Sequence, residues 1–280
     1  MPGWLADAFG TGIQQRALAE ILLLSVACGP LGVWVVSFRQ AYAAESLAHA
    51  MLPGLVIAVL IGAPLLAGGV GGLLVAAGAM ALAARDERLG PDTAVAIAVT
   101  GLFGLGTMLA LVPDVPTRLQ EVLFGDLLGV TRSDVLAAAA LAVGVAGALG
   151  ALHRRLTAAA FDARPGPAAP LVLVLLAITT AVAVQGLGNL LVVALLIAPA
   201  TAALAVTRRL VPALLLAAVF AMVAGLAGLL ISFHAGVAAG ASVALSAVIL
   251  HLLCRLCALC TERLRRGASG AGGVAMVGRP

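Results

Sequence analysis

The chain has 280 residues, 63% of them apolar and 10% charged, with a formal charge of +4. That is about 176 apolar positions (63% of 280), and a membrane-crossing helix needs roughly 20, enough for about eight or nine crossings. A typical soluble domain is about 25% charged. With a mean hydropathy of +1.18, the composition excludes a soluble globular, disordered or fibrous chain. It predicts an all-α, polytopic integral membrane protein.

All 16 basic residues are arginine, and lysine is absent. A P-loop needs its lysine to reach the β- and γ-phosphates, so this chain cannot carry a Walker A site. Any ATP that drives it is hydrolysed by a separate polypeptide. No metalloprotease HExxH and no nucleophile elbow occurs, so the chain does not read as an enzyme, and no permanently bound cofactor or nucleic-acid partner is expected. Four cysteines, Cys28 in the first apolar run and Cys254, Cys257 and Cys260 at the end of the last, make no disulfide framework.

Apolar runs in chain order predict helices at about 17–37, 41–61, 64–84, 93–112, 135–152, 169–187, 189–207, 210–231 and 240–256. This gives about nine transmembrane helices, with eight as the alternative if the first run is re-entrant. Short polar marks separate the runs, among them Arg39-Gln40, Arg85–Arg88, His153-Arg154-Arg155 and Arg208-Arg209; Pro113–Asp134 is longer. No internal repeat or linker divides the chain, so residues 1–266 read as one domain and Gly/Ala-rich 267–280 as a disordered cytoplasmic tail. Placing 153–168 in the cytoplasm puts thirteen arginines inside and leaves Arg16, Arg118 and Arg132 outside. The positive-inside rule then sets the N-terminus outside and the C-terminus inside. Gly68, Gly69, Gly71, Gly72 and Gly78 make one flank of the third span small enough for close helix contact.

Ionisable residues within the hydrocarbon are costly, and each is a functional hypothesis by default. The second span carries Glu45-Ser46-Leu47-Ala48-His49. The i,i+4 spacing puts carboxylate and imidazole on one helix face, half of a divalent-metal site. Pro53 has no N–H, so a kink is expected there, with the carbonyl of residue 49 left free beside its own imidazole. The alternative reading has Glu45 snorkelling to the cytoplasmic face and His49 bonded to a neighbouring helix.

Weaker signals are spread along the rest. Asp114, Glu121, Asp126 and Asp134 make the long outside loop acidic, suited to a binding protein or to drawing in cations. Gln185 and Asn189 offer polar groups within the membrane. His234 and His251 read as hydrogen-bonded structural histidines, and the CxxCxxC run reads as packed small hydrophobes rather than a metal chelate.

Three stretches resemble the ABC-type zinc and manganese permeases. Ala44–Gly54, AESLAHAMLPG, is similar to that family's DALSHAVLPG segment. Phe124–Val130, FGDLLGV, followed by Asp134, is similar to FGNILGVS..D, and Gly188–Ala200, GNLLVVALLIAPA, to VGVLLVVALLIIPA. They lie in order and span nearly the whole transmembrane part. The resemblance implies a permease domain in a bacterial plasma membrane, homodimeric, joined to cytoplasmic ABC ATPases and served by an extracytoplasmic metal-binding protein. It implies import of zinc, manganese or iron(II). Glu45 stands where the family usually has aspartate, His49 matches its histidine, and Asp92 matches a recurrent aspartate that an ordinary helix cap explains equally well. The cytoplasmic coupling loop, usually similar to SFDPELARALGL, reads Ala160-Phe161-Asp162-Ala163-Arg164-Pro165-Gly166-Pro167. Its Phe-Asp start is kept, and proline and glycine replace the helical continuation. The resemblance makes Phe161, Asp162 and Arg164 the ATPase-coupling residues. The family's proline-rich turn after Phe233 is missing. A proton-coupled secondary carrier of a metal or small solute is the competing function.

Overall fold

The computed structural model describes residues 10–86, 88, 90–111, 129–161 and 168–273. Among them every regular element is a helix: α1 (Gly12–Ser37), α2 (Ala41–Ala50), α3 (Leu52–Leu60), α4 (Leu65–Ala83), α5 (Pro91–Ala110), α6 (Arg132–Phe161), α7 (Ala168–Leu187), α8 (Asn189–Val206), α9 (Leu210–Ala235) and α10 (Ala239–Gly273). Counting α2–α3 as one unit, seven helices among the described residues are long and apolar enough to cross a membrane. In α7 and α8 the apolar stretches are shorter, Ala168–Val184 and Leu191–Val206.

Local chemistry sets the ends of α1. Thr11 and Gln14 form a reciprocal capping box: the Gln14 N–H donates to Thr11 Oγ1 at 3.4 Å, and the Thr11 N–H to Gln14 Oε1 at 3.2 Å. At the other end Arg39 adopts φ 56°, and the Gln40 N–H turns back to the Val35 carbonyl at 2.8 Å. The Gln40 amide then donates to the Ala169 carbonyl at 3.0 Å, tying the α1–α2 corner to the start of α7.

α1 is the central post. It packs against α9, α8, α6 and α7, while α8, α9 and α10 pack on one another. Between apolar helices in lipid, association depends on close fit rather than on a hydrophobic drive. Gly29 lies under the Ala217 carbonyl, where a Cβ would come within 2.7 Å, and Gly32 lies against the Leu196 carbonyl. On α9, Ala213, Ala217, Ala221 and Gly225 recur every fourth residue and are buried. Gly225 receives the Ile21 side chain. A second group, α2 to α5, leans on this bundle mainly through the α4–α7 contact.

The charged marks at 153–155 do not form a loop. α6 continues through His153, Arg154 and Arg155 to Phe161, because those residues tolerate a helix and no proline intervenes before Pro165. The His153 ring stands edge-on to Trp34, with centroids 6.1 Å apart. α10 likewise runs past the expected end of its apolar run, to Gly273.

Candidate functional site

α2 is amphipathic in an inverted sense. Ala43, Ala44, Ser46, Leu47, Ala48 and Ala50 are buried against neighbouring helices, whereas Tyr42, Glu45 and His49 face away from the rest of the chain. Their i, i+3, i+7 spacing makes one stripe. His49 meets Phe103 of α5 edge-on, with ring centroids 5.9 Å apart and planes inclined by 72°. Glu45 and His49 therefore share one outward face within an apolar span.

The helix breaks beside this face. α2 ends at Ala50, Met51 takes φ −78°, ψ −14°, and α3 starts at Leu52 with Pro53 in its first turn. Proline fits the first turn because the N–H it lacks has no helical acceptor there. The break therefore comes at Met51, and it corrects one expectation. The His49 carbonyl is not free: it accepts from the Met51 N–H, because the chain turns tightly at the break. Past the break an apolar groove of about 420 Å³ opens, lined by Ala50, Pro53, Gly54 and residues of α4 and α5. The α3–α4 seam beneath it is built from glycine: a Cβ on Gly72 would come within 2.8 Å of the Met51 carbonyl, and Gly68 meets the Gly54 backbone.

Asp92 is not part of this constellation. It is exposed in the first turn of α5 and caps nothing with its side chain. Eleven residues separate it from Phe103, about 16 Å along the helix from the level of His49. Among the described residues no three His, Cys, Asp or Glu side chains gather to hold a metal, so within them Glu45 and His49 have no third such ligand beside them.

Of the residues expected to couple to an ATPase, Phe161 ends α6, and Asp162 and Arg164 lie outside the described residues, as do Asp114, Glu121 and Asp126. The side chains of Gln185 and Asn189 are likewise outside the description. His251 Nδ1 lies 3.0 Å from Thr201 Oγ1, and His234 Nδ1 2.9 Å from the Leu230 carbonyl. All four cysteines are free thiols; Cys257 and Cys260 are exposed and Cys28 is buried.

One residue is missing from the sequence-derived set. Glu20, in the third turn of α1, is 1% exposed, and its Oε2 has no hydrogen-bond partner. The signal was available, since Glu20 is the only acidic residue in the apolar run 17–37.

The profile of the ABC 3 transport family matches residues 11–258. The manganese transport system membrane protein MntC of Halalkalibacterium halodurans is 33% identical over 248 residues, covering 85% of each chain. A probable iron transport system membrane protein of Haemophilus influenzae is 28% identical over 250 residues, covering 86% of this chain and 92% of its own. Among solved structures, PsaBC from Streptococcus pneumoniae in complex with Fab superposes with a TM-score of 0.78 at 25% identity, over 91% of this chain and 95% of that one. The family match runs from the start of α1 into α10 and covers most of the chain, and it leads to one assignment: the chain belongs to the ABC 3 transport family.

Proposed function

We propose that the chain is the membrane permease subunit of an ABC importer for a divalent transition metal, with manganese, zinc and iron(II) as the candidate cargoes. The observation that carries this reading is the outward stripe of Glu45 and His49 on α2, a carboxylate and an imidazole in an apolar span with no ion-pair partner among the described residues. Such groups at membrane depth face a bundle interior or a water-filled path. A second copy facing this stripe supplies a second Glu and His, four ligands in all, which suits zinc as a tetrahedron and manganese once water or carbonyls are added. Relatives named for manganese and iron transport support the same cargo class.

The lack of lysine supports a separate ATPase on the cytoplasmic side, with the segment from Phe161 through Asp162 and Arg164 as its docking loop. α7 and α8, added to the seven longer helices, complete nine spans in a bacterial plasma membrane with the N-terminus outside. An extracytoplasmic metal-binding protein delivers the cargo to that side. A reporter fused before Gly12 reads the topology directly, and a cytoplasmic signal there overturns it. The cargo is tested by uptake of radioactive manganese and zinc into energised vesicles at matched protein levels. His49→Ala abolishes uptake and Glu45→Asp retains much of it; near-normal uptake by His49→Ala removes the site.

A further inference from the structure

The register of α5 against the second span brings one further polar group beside Glu45. Phe103 meets His49, and a Cβ on Gly106 would lie 2.9 Å from the Pro53 nitrogen. Later residues of α5 thus meet later residues of the second span, so the two run in the same direction, and α5 packs on both α2 and α3. One turn back from each partner of the His49–Phe103 contact lie Glu45 and Thr100. At 1.5 Å per residue their levels agree to about 2 Å.

Thr100 also faces the same side as the stripe on α2. Like Glu45, His49 and Phe103 it is exposed, whereas Ala94, Val95 and Gly106 of α5 are buried. At about 100° per residue, Thr100 points almost directly away from those three, with Phe103 turned part of the way between. It stands near the middle of α5, about 14 Å from Pro91. Thr107, two turns on, donates its hydroxyl to the Gly104 carbonyl at 2.8 Å, so that group is satisfied within its own helix. The Thr100 hydroxyl makes no hydrogen bond among the described residues, and lipid would offer it none. The neighbouring Glu45 and His49 do not suit a lipid-facing surface either. A hydroxyl left open at this depth, on the surface that carries a carboxylate and an imidazole, is placed to meet a cation or the water around it.

We propose that Thr100 is a specificity-determining residue of the ion path, its hydroxyl giving a neutral oxygen to the divalent cation at Glu45 and His49 or to that cation's water shell. The proposal rests on the reading of Glu45 and His49 as the path. Two copies of the chain then present two carboxylates, two imidazoles and two hydroxyls. The carboxylates and imidazoles alone suffice for tetrahedral zinc. Manganese takes six ligands and prefers oxygen, so the added hydroxyls serve manganese more than zinc.

The test is uptake of radioactive manganese and zinc, supplied as chlorides, into energised vesicles holding the full chain at matched protein levels. Thr100→Val keeps the shape and removes the hydroxyl. It lowers manganese uptake by about threefold or more, the effect of losing one hydrogen bond, and leaves zinc uptake nearly unchanged, so the manganese-to-zinc ratio falls. Thr100→Ser restores the ratio, and Thr107→Val, whose lost hydroxyl is bonded within α5, leaves it unaltered. An unchanged ratio in Thr100→Val, an equal fall for both metals, or failure of Thr100→Ser to restore the ratio overturns the proposal. So does a wild-type chain that takes up zinc and not manganese. His49→Ala separates the two readings: if it abolishes uptake while Thr100→Val keeps the ratio, only the role of Thr100 fails, and if it transports normally, the Glu45–His49 path fails and Thr100 with it.

Discussion

The His49 imidazole and the Phe103 ring meet in a T-shaped pair, at 5.9 Å between centroids. This contact joins the second span to the helix that crosses beside it, and among the described residues it is the one ring contact on the outward stripe of α2. An aromatic pair in this geometry is worth about 0.5–1.5 kcal/mol, a factor of about 2 to 10 in a binding equilibrium. Phe103→Leu keeps the apolar volume and releases the ring. Uptake by Phe103→Leu is expected to fall within that range while the amount of folded protein is unchanged; full activity means that Phe103 does not orient His49.

Pro53 acts through the backbone. With Pro53 in the first turn of α3, the break at Met51 sets the direction in which α3 leaves His49, and α5 packs into the corner: a Cβ on Gly106 would sit 2.9 Å from the Pro53 nitrogen. Pro53→Ala restores an N–H and lets α2 and α3 join into one helix. Transport should drop although neither Glu45 nor His49 is changed, and a spin-label distance between residues 42 and 60 should lengthen as the span straightens. An unchanged distance would show that the break is held by packing alone.

Helix placement was legible because apolar runs of about 20 residues admit few other structures in a membrane. The ends were less so. Treating His153, Arg154 and Arg155 as a loop equated charge with the end of a helix, whereas α6 ends only at Phe161, shortly before Pro165. The Glu45–His49 pair was visible from spacing alone. Its facing was not, because the outward turn of α2 depends on which face its alanines bury, and small residues give little pattern to read. Glu20 is legible as the one acidic residue of the first apolar run, but its burial without a partner for Oε2 is a property of packing between helices, which no single run reveals.

The glycines of α4 separate into two kinds. A Cβ on Gly72 would crowd the Met51 carbonyl at 2.8 Å and the Gly54 Cα at 3.2 Å, whereas a Cβ on Gly71 meets nothing within 4 Å. Overpacking at such a contact costs about 1–3 kcal/mol. Gly72→Val should therefore lower the melting temperature of the detergent-solubilised chain, and Gly71→Ala should leave it unchanged or slightly raised. Equal behaviour of the two variants would mean that the α3–α4 seam yields easily.

Energy coupling is the last step that the architecture makes testable. α6 has 30 residues, about 45 Å of helix against a hydrocarbon thickness of about 30 Å, so it projects several turns beyond the core. Near that projecting end the His153 ring stands against Trp34 of central α1, and Leu156 one turn on is fully buried. With α6 held to the central post at these two places, the proposed docking loop after Phe161 is joined to the bundle without a break in the helix. In the proposed docking loop that follows, Asp162 and Arg164 are the two residues of opposite charge available to an ATPase surface. Replacing both by alanine should leave the assembled complex hydrolysing ATP while metal uptake in proteoliposomes falls by about tenfold or more, the loss expected when a charge pair worth about 1.4 kcal/mol or more is removed from an interface. Purification through the ATPase subunit checks that the complex still forms. Normal ATP-driven uptake by the double variant would place the coupling contact elsewhere on the cytoplasmic face.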